Sequence, residues 1–273
     1  MKVTALVENT TKDKKLLTMH GLSLYVETAN HKMLVDVGNE DLFLRNSKKL
    51  KVNIENIDIV IITHGHNDHG GGLKYFLQKN NKAKIYIQKS AFEQQYVKIK
   101  DNASYIGLDK SFMDNPQINL VDGDCKIDDE VMLITKPKIS EPVPSFNLSL
   151  FQKIDEKLTH DKFLHEQSVV ITEKNIVTLF AGCAHNGIMN IINAAKKKTG
   201  GKIDYVVGGF HLYNPGLNLT KFDEAEKLAK NLSDLYAKIY TCHCTGIDAF
   251  EKIHDKLGDK IEYLYTGKTI SLK

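Results

Sequence analysis

Long apolar runs are missing from this 273-residue chain, and so is any large excess of one charge. The longest apolar stretches, such as Ile59-Val60-Ile61-Ile62, are strand-sized, whereas a membrane helix needs roughly 20 apolar residues. Thirty-seven Lys and Arg against 34 Asp and Glu leave a formal net charge of +3. That gives no electrostatic case for nucleic acid or a membrane surface as the main partner. Cysteine is scarce: four residues, two of them separated by one position, make no disulfide framework. Glu8 falls where a secretory signal would still need its apolar stretch. These absences predict a reduced, cytoplasmic protein that acts on a small molecule. With 42% hydrophobic and 26% charged residues the chain can bury a sizeable core. No linker-like stretch divides it, which predicts one domain over residues 1–273.

Short β-branched segments predict strands at Lys2–Glu8, Leu22–Glu27 and Lys32–Val37. Asp58–Thr63 is almost continuously apolar, as in a strand covered on both faces. Further strands are predicted at Lys84–Gln88, Val131–Thr135, Ile203–Val207, Ile239–Cys242, Ile261–Tyr265 and Thr269–Leu272, with a hairpin over Ser168–Thr172 and Ile176–Ala181. Helical spacing marks Gly187–Lys198, a run to Leu235 with Thr220 and Asp223 as its N-cap pair, and Ile247–Leu257. Residues 90–117 and 137–166 read as irregular, and three of the five prolines (Pro137, Pro142 and Pro144) break regular structure there. Strands followed by strand–helix alternation in both halves predict an α/β (α+β) fold of two packed sheets covered by helices.

The chemistry concentrates where the strand Asp58–Thr63 ends. His64, His66 and His69 stand within six residues with Asp68 among them. Imidazole and carboxylate are the ligands that borderline divalent metals prefer. His64 and His66, two apart, point the same way from an extended backbone. Gly65 and Asn67 let the chain bend Asp68 and His69 back toward them.

Thr63-His64-Gly65-His66-Asn67-Asp68-His69 resembles the HxHxDH signature of the metallo-β-lactamase superfamily, and Asp36 resembles the aspartate that precedes it and buttresses the site. Gly182-Cys183-Ala184-His185-Asn186-Gly187, Gly208-Gly209-Phe210-His211-Leu212 and Cys242-His243-Cys244-Thr245-Gly246 are similar to one subgroup. That subgroup includes the dihydropteroate-synthase-like 7,8-dihydropterin-6-methyl-4-(β-D-ribofuranosyl)aminobenzene 5'-phosphate synthase of methanopterin biosynthesis. The resemblance implies an αββα sandwich of two mixed sheets flanked by helices. It further implies a divalent metal centre with one or two ions per chain, zinc first, with manganese or iron as alternatives. His64, His66 and His185 would hold one ion, and Asp68, His69 and His243 the other. Asp68 would also orient the reaction, and His211 would face the substrate.

Where most members carry a bridging aspartate, this chain has Cys183, either a ligand or a buried structural cysteine. His165 rivals His185, which is preferred because it stands at a strand end beside glycines. Glu166 reads as a surface carboxylate, and His20, His31, His160 and His254 as isolated surface residues. Strand alternation puts Cys242 and Cys244 on the face opposite His243. Gly267-Lys268-Thr269 lacks the earlier glycine of a P-loop, since position 262 is Glu262. A flavodiiron oxidoreductase is disfavoured because that lineage carries glutamate where this chain has His66.

Three functions follow. The first is a hydrolase that uses a metal-activated water on a small ester, lactone or phosphoester. The second is a synthase that condenses a pterin diphosphate with an arylamine ribosyl phosphate. The third is a non-catalytic metal or ligand sensor.

Overall fold

All four residues of Ile59–Ile62 are buried because the two faces of this strand meet different cores. Ile59 and Ile61 join the cluster between the sheets, while Val60 and Ile62 pack under helices. The same alternation runs through Lys32–Val35, whose Met33 and Val35 face inward and whose Leu34 faces outward. The computed structural model describes residues 1–273. Its first seven-stranded sheet has the order Thr269–Ser271, Lys2–Val7, Ser23–Glu27, Lys32–Val35, Ile59–Ile62, Lys84–Gln88, Ile118–Val121. The second runs Ile261–Tyr263, Lys238–Thr241, Tyr205–Gly208, Ile176–Phe180, Gln167–Glu173, Val131–Thr135, Cys125–Lys126. Between them lies a cluster of 21 buried apolar residues. Each buried Val, Leu or Ile there contributes about 1.5–3 kcal/mol.

Helices Leu42–Lys49 and Leu73–Leu77 cover the outer face of the first sheet through Leu42, Phe43, Leu73 and Phe76. Ile188–Lys198, Phe222–Ser233 and Ile247–Leu257 cover the second through Ile191, Ile192, Ala229, Leu232 and Ile253. The architecture is therefore αββα, with both sheets mixed. No helix is long and apolar enough to cross a membrane.

Strand direction places the site. Lys32–Val35, Ile59–Ile62 and Lys84–Gln88 are parallel neighbours, and so are Ile176–Phe180, Tyr205–Gly208 and Lys238–Thr241. Their carboxyl ends deliver Asp36, the His64–His69 turn, Cys183–His185, His211 and His243, residues that hydrogen bonds bring together across the two sheets. Carboxyl ends of parallel strands are the usual seat of α/β binding sites.

Three expectations are corrected here. Residues 90–117 and 137–166 are not simply irregular. They supply the hairpins Gln94–Ile99 with Asn102–Tyr105 and Leu150–Ile154 with Lys157–His160, which pair into a four-stranded sheet. Its two outer strands, Asn102–Tyr105 and Lys157–His160, are exposed on both faces and so carry no alternation. Thr220 does not cap a helix. It pairs with Tyr213 in a short ladder, and the helix starts at Phe222 with no side-chain cap. The strand predicted to reach Cys242 stops at Thr241, and His243–Thr245 forms a 3₁₀ turn.

One glycine joins the halves. Gly182 has φ 56°, and a Cβ there would stand 2.4 Å from Thr63 Oγ1 on the other sheet. Gly200 has φ 66° but nothing within 4 Å of the added atom. Gly182→Ala should therefore lose about 1–3 kcal/mol more than Gly200→Ala, read as the difference in urea midpoints at equal slope. Equal losses would mean that the sheets do not need this close approach.

Candidate metal centre

Four imidazoles are anchored by the same rule. The His64 Nδ1–H donates to Thr63 Oγ1 (3.1 Å), and that of His69 to Asp36 Oδ2 (2.6 Å). His185 Nδ1–H donates to Asn147 Oδ1 (3.0 Å), and that of His243 to Asn9 Oδ1 (2.9 Å). Each asparagine also donates its amide to the carbonyl of the histidine it holds, Asn147 at 2.7 Å and Asn9 at 3.1 Å. With Nδ1 spent on that bond, all four rings turn Nε2 inward, the nitrogen left over for a metal.

The inward atoms form two groups. His64, His66 and His185 have ring centroids 4.6–5.0 Å apart. Their three Nε2 atoms are buried without any hydrogen-bond partner. An orphaned buried acceptor costs about 1–3 kcal/mol, and three converging on one space fit a divalent cation. In the second group His69 Nε2 lies 3.2 Å from His243 Nε2, and His243 Nε2 lies 3.3 Å from Asp68 Oδ2. Cys183 belongs to both: its Sγ is 3.1 Å from His69 Nε2, and it also lies within 4.8 Å of the ligand atoms of His64 and His185.

The electrostatics follow the grouping. Burial, then the neighbouring His165, pushes His66 down to about 3. Burial and the surrounding imidazoles likewise hold His64 and His185 well below the ordinary range. Burial would lower His69 too, but Asp36 and Asp68 outweigh it and push it up to about 9. Burial would raise Asp68, yet the imidazoles of His69, His20 and His243 hold it well below the carboxylate range.

The predicted residues His64, His66, Asp68, His69, His185 and His243 thus meet in one place, with His211 beside them at 4.3 Å between its ring centroid and that of His185. His165 is bound otherwise: its Nδ1 accepts from Gly65 N–H (3.0 Å) and its Nε2–H donates to Asp161 (2.9 Å), so no lone pair remains. Glu166 is not at the surface. It is 2% exposed, and its carboxylate accepts from the backbone N–H groups of His185 and Asn186, shaping the turn that presents His185. His20 is not isolated either: it lies 3.2 Å from Asp68 and packs on the ring of His243. His31 is partly buried between Asp58 and Asp128. Cys244, on a 3₁₀ turn instead of a strand, lines the same cavity as His243, while Cys242 packs between the sheets.

Sequence reasoning missed Asn9, Asn147 and the structural role of Glu8. Glu8 is wholly buried and accepts from His243 N–H (2.8 Å) and the Tyr263 hydroxyl (2.7 Å). A carboxylate closing the apolar strand Lys2–Val7 was the available signal. Asn147, beyond the prolines, offered none.

The centre opens into a cavity of about 220 Å³. Val97, Ile99, Ile106 and Leu150 wall it from the four-stranded sheet, and Tyr213 and Pro215 from the loop after His211. None of its 18 lining residues is Lys or Arg.

Comparison with known proteins agrees with this geometry. The sequence model of the Metallo-beta-lactamase superfamily matches residues 18–237, ending just short of the turn that carries His243. An uncharacterized protein of Methanocaldococcus jannaschii is 27% identical over 98% of both chains. The 7,8-dihydropterin-6-methyl-4-(beta-D-ribofuranosyl)-aminobenzene-5'-phosphate synthase of the same organism is 25% identical, covering 93% of this chain and 90% of its own. The crystal structure of a metal-dependent hydrolase of the beta-lactamase superfamily matches with a TM-score of 0.84 and 28% identity, over 100% of this chain and 99% of that one.

With Asp36 and Asp68 pushing His69 up to about 9, the metal-free protein at pH 7 is expected to hold a second proton on that ring's Nε2, where a metal would sit. Metal uptake at pH 7 should expel it, read by calorimetry in two buffers of different ionisation enthalpy, and the release should fade as pH passes about 9. Release unchanged well above that pH would exclude His69 as the source. The same shift stabilises the metal-free fold below the ordinary value of 6.5 and is lost as pH rises through 9, whereas the His66 shift stabilises above 6.5 and is lost as pH falls toward 3. Asn147→Ala should weaken metal retention about 10–100-fold, measured by competition with a chelator, and unchanged retention would remove Asn147 from the centre.

Proposed function

Because the chain belongs to the metallo-β-lactamase superfamily and turns a set of imidazole lone pairs into an apolar-walled cavity, we propose that it is a metal-dependent hydrolase of small neutral esters or lactones. The observation that carries this reading is the trio of buried, unpartnered Nε2 atoms of His64, His66 and His185, of which His66 and His185 line the cavity. His64, His66 and His185 would hold one divalent ion, Asp68, His69 and His243 a second, and zinc suits this nitrogen, oxygen and sulfur donor set. Such ions, when bound, lower the pKa of a coordinated water and polarise the substrate oxygen.

The protein's own groups do the rest. Val97, Ile99, Ile106 and Leu150 exclude bulk water from the acyl group. Asp68 lies 3.2 Å from His20 Nε2 and 3.3 Å from His243 Nε2 and keeps the second ligand group in register. His211 has both ring nitrogens buried and unpartnered beside His185, so its ring is free to take the proton that the attacking water loses and pass one on to the departing oxygen as the acyl–oxygen bond breaks.

A second reading is the synthase, favoured by the 25% identical relative of that name. The cavity supplies no Lys or Arg to clamp a diphosphate, and this places the ester reading first.

Metal-loaded protein is expected to hydrolyse neutral acyl esters or lactones faster than phosphoesters. It should lose that activity to a chelator, and His211→Ala should lower kcat/KM by about 10²-fold with metal content unchanged. Diphosphate release that requires an added arylamine, with no ester turnover, would instead establish the synthase. Metal binding without turnover on any of these substrates would leave a sensor.

A further inference from the structure

Cys183 and Cys244 line the cavity side by side, and the function proposed above uses no thiol chemistry from either. Their sulfur atoms and a ring nitrogen of His211 lie within 4.8 Å of one another. Both cysteines are free and buried, 3% and 2% exposed. Cys244 is held from two sides: its Sγ accepts from His211 N–H (3.2 Å) and lies 3.7 Å from the Cys183 carbonyl. Gly209 makes the room, since a Cβ there would stand 2.3 Å from Cys244 Sγ. The other two cysteines stand apart, Cys242 in the core between the sheets and Cys125 on an edge strand beside Val131–Thr135. Two reduced sulfurs that line one cavity within 4.8 Å of each other, with the other two cysteines elsewhere, are placed to react as a pair.

We propose that Cys183 and Cys244 form a redox-modification site, a dithiol that hydrogen peroxide entering the cavity converts to a disulfide. One thiol attacks the peroxide, the O–O bond breaks, and a sulfenic acid forms with release of water. The second thiol then attacks that sulfur, the S–S bond forms and a second water leaves. The two thiols give up two electrons and two protons, and the peroxide is reduced to two waters. The sulfurs start at most 4.8 Å apart, against the ~2.05 Å of a disulfide. Closure consumes the Cys183 thiol, whose Sγ stands 3.1 Å from His69 Nε2, and so removes a donor that both ligand groups share. This consequence, though not the disulfide itself, rests on the metal-centre reading above.

The test uses the full chain, stripped of metal with a chelator and exposed to hydrogen peroxide. Titratable thiols in denaturant should fall from four to two, a non-reducing peptide map should join Cys183 to Cys244, and dithiothreitol should restore all four. Cys244→Ser should show no disulfide on the same map after the same exposure. Protein loaded with zinc beforehand should resist oxidation, and oxidised protein should take up less zinc than reduced protein. Four surviving thiols in the metal-free chain would overturn the proposal, as would a cross-link through Cys125 or Cys242, or oxidation of Cys183 with no link. A Cys183–Cys244 disulfide with zinc uptake unchanged would uphold the dithiol site and remove Cys183 from the metal centre.

Discussion

Asp36 leaves its strand with a left-handed backbone, φ 61°, and sends a carboxylate wholly shielded from solvent to the end of the neighbouring strand. There it accepts from Thr63 N–H (2.7 Å), the Thr63 hydroxyl (2.8 Å) and His69 Nδ1–H (2.6 Å). Through Thr63 it fixes His64, whose Nδ1 donates to the same hydroxyl, and through His69 it fixes one member of the second ligand group. Thr63 also meets Gly182, where the other sheet begins its turn toward Cys183 and His185. One carboxylate thereby ties both ligand groups and both sheets to a single set of coordinates. Had Asp36 kept an extended backbone, its side chain would have alternated into the core with its neighbours.

That left-handed geometry recurs. Ala184, His211 and His243 also adopt positive φ, each just beyond the end of a parallel strand. Such residues cost about 1–3 kcal/mol apiece, a load carried by the apolar cores on both faces of the two sheets. The cost has a geometric return. A strand that continued normally would carry its last side chains past the edge, whereas a left-handed residue folds them back over it. Glu8 supports the turn at His243 from beneath, and Glu166 does the same for the turn at His185.

Much of this was legible in the sequence because it is local. The buried run Ile59–Ile62, the histidines after it and the hairpin near 174 are contiguous patterns whose periodicity reports burial directly. Asp36, His185, His211 and His243 were reached only through resemblance, since nothing in their spacing says that four strand ends will meet. Glu166, His20, Asn9 and Asn147 were misread or unseen for one shared reason. Each acts on a partner at least 19 residues away in sequence, the distance from Glu166 to His185, and a polar residue shows no sign in the sequence of what it will hydrogen-bond. The four-stranded sheet escaped notice in part because its two edge strands, open to solvent on both faces, carry no alternation to detect.

That sheet is assembled from two hairpins that leave the chain about fifty residues apart, one before the second core sheet and one within it. Each hairpin begins and ends near the rim, so its residues can drift without disturbing the strand ends that carry the histidines. Leu150 nevertheless pairs with Val97, and Gln152 with Gln95, so a change of length or register in one hairpin would strand its partner. The wall that shapes the cavity is therefore a module that is replaceable only as a pair. Descendants of this chain that came to accept a different substrate would show matched change in the two hairpins over an unaltered floor.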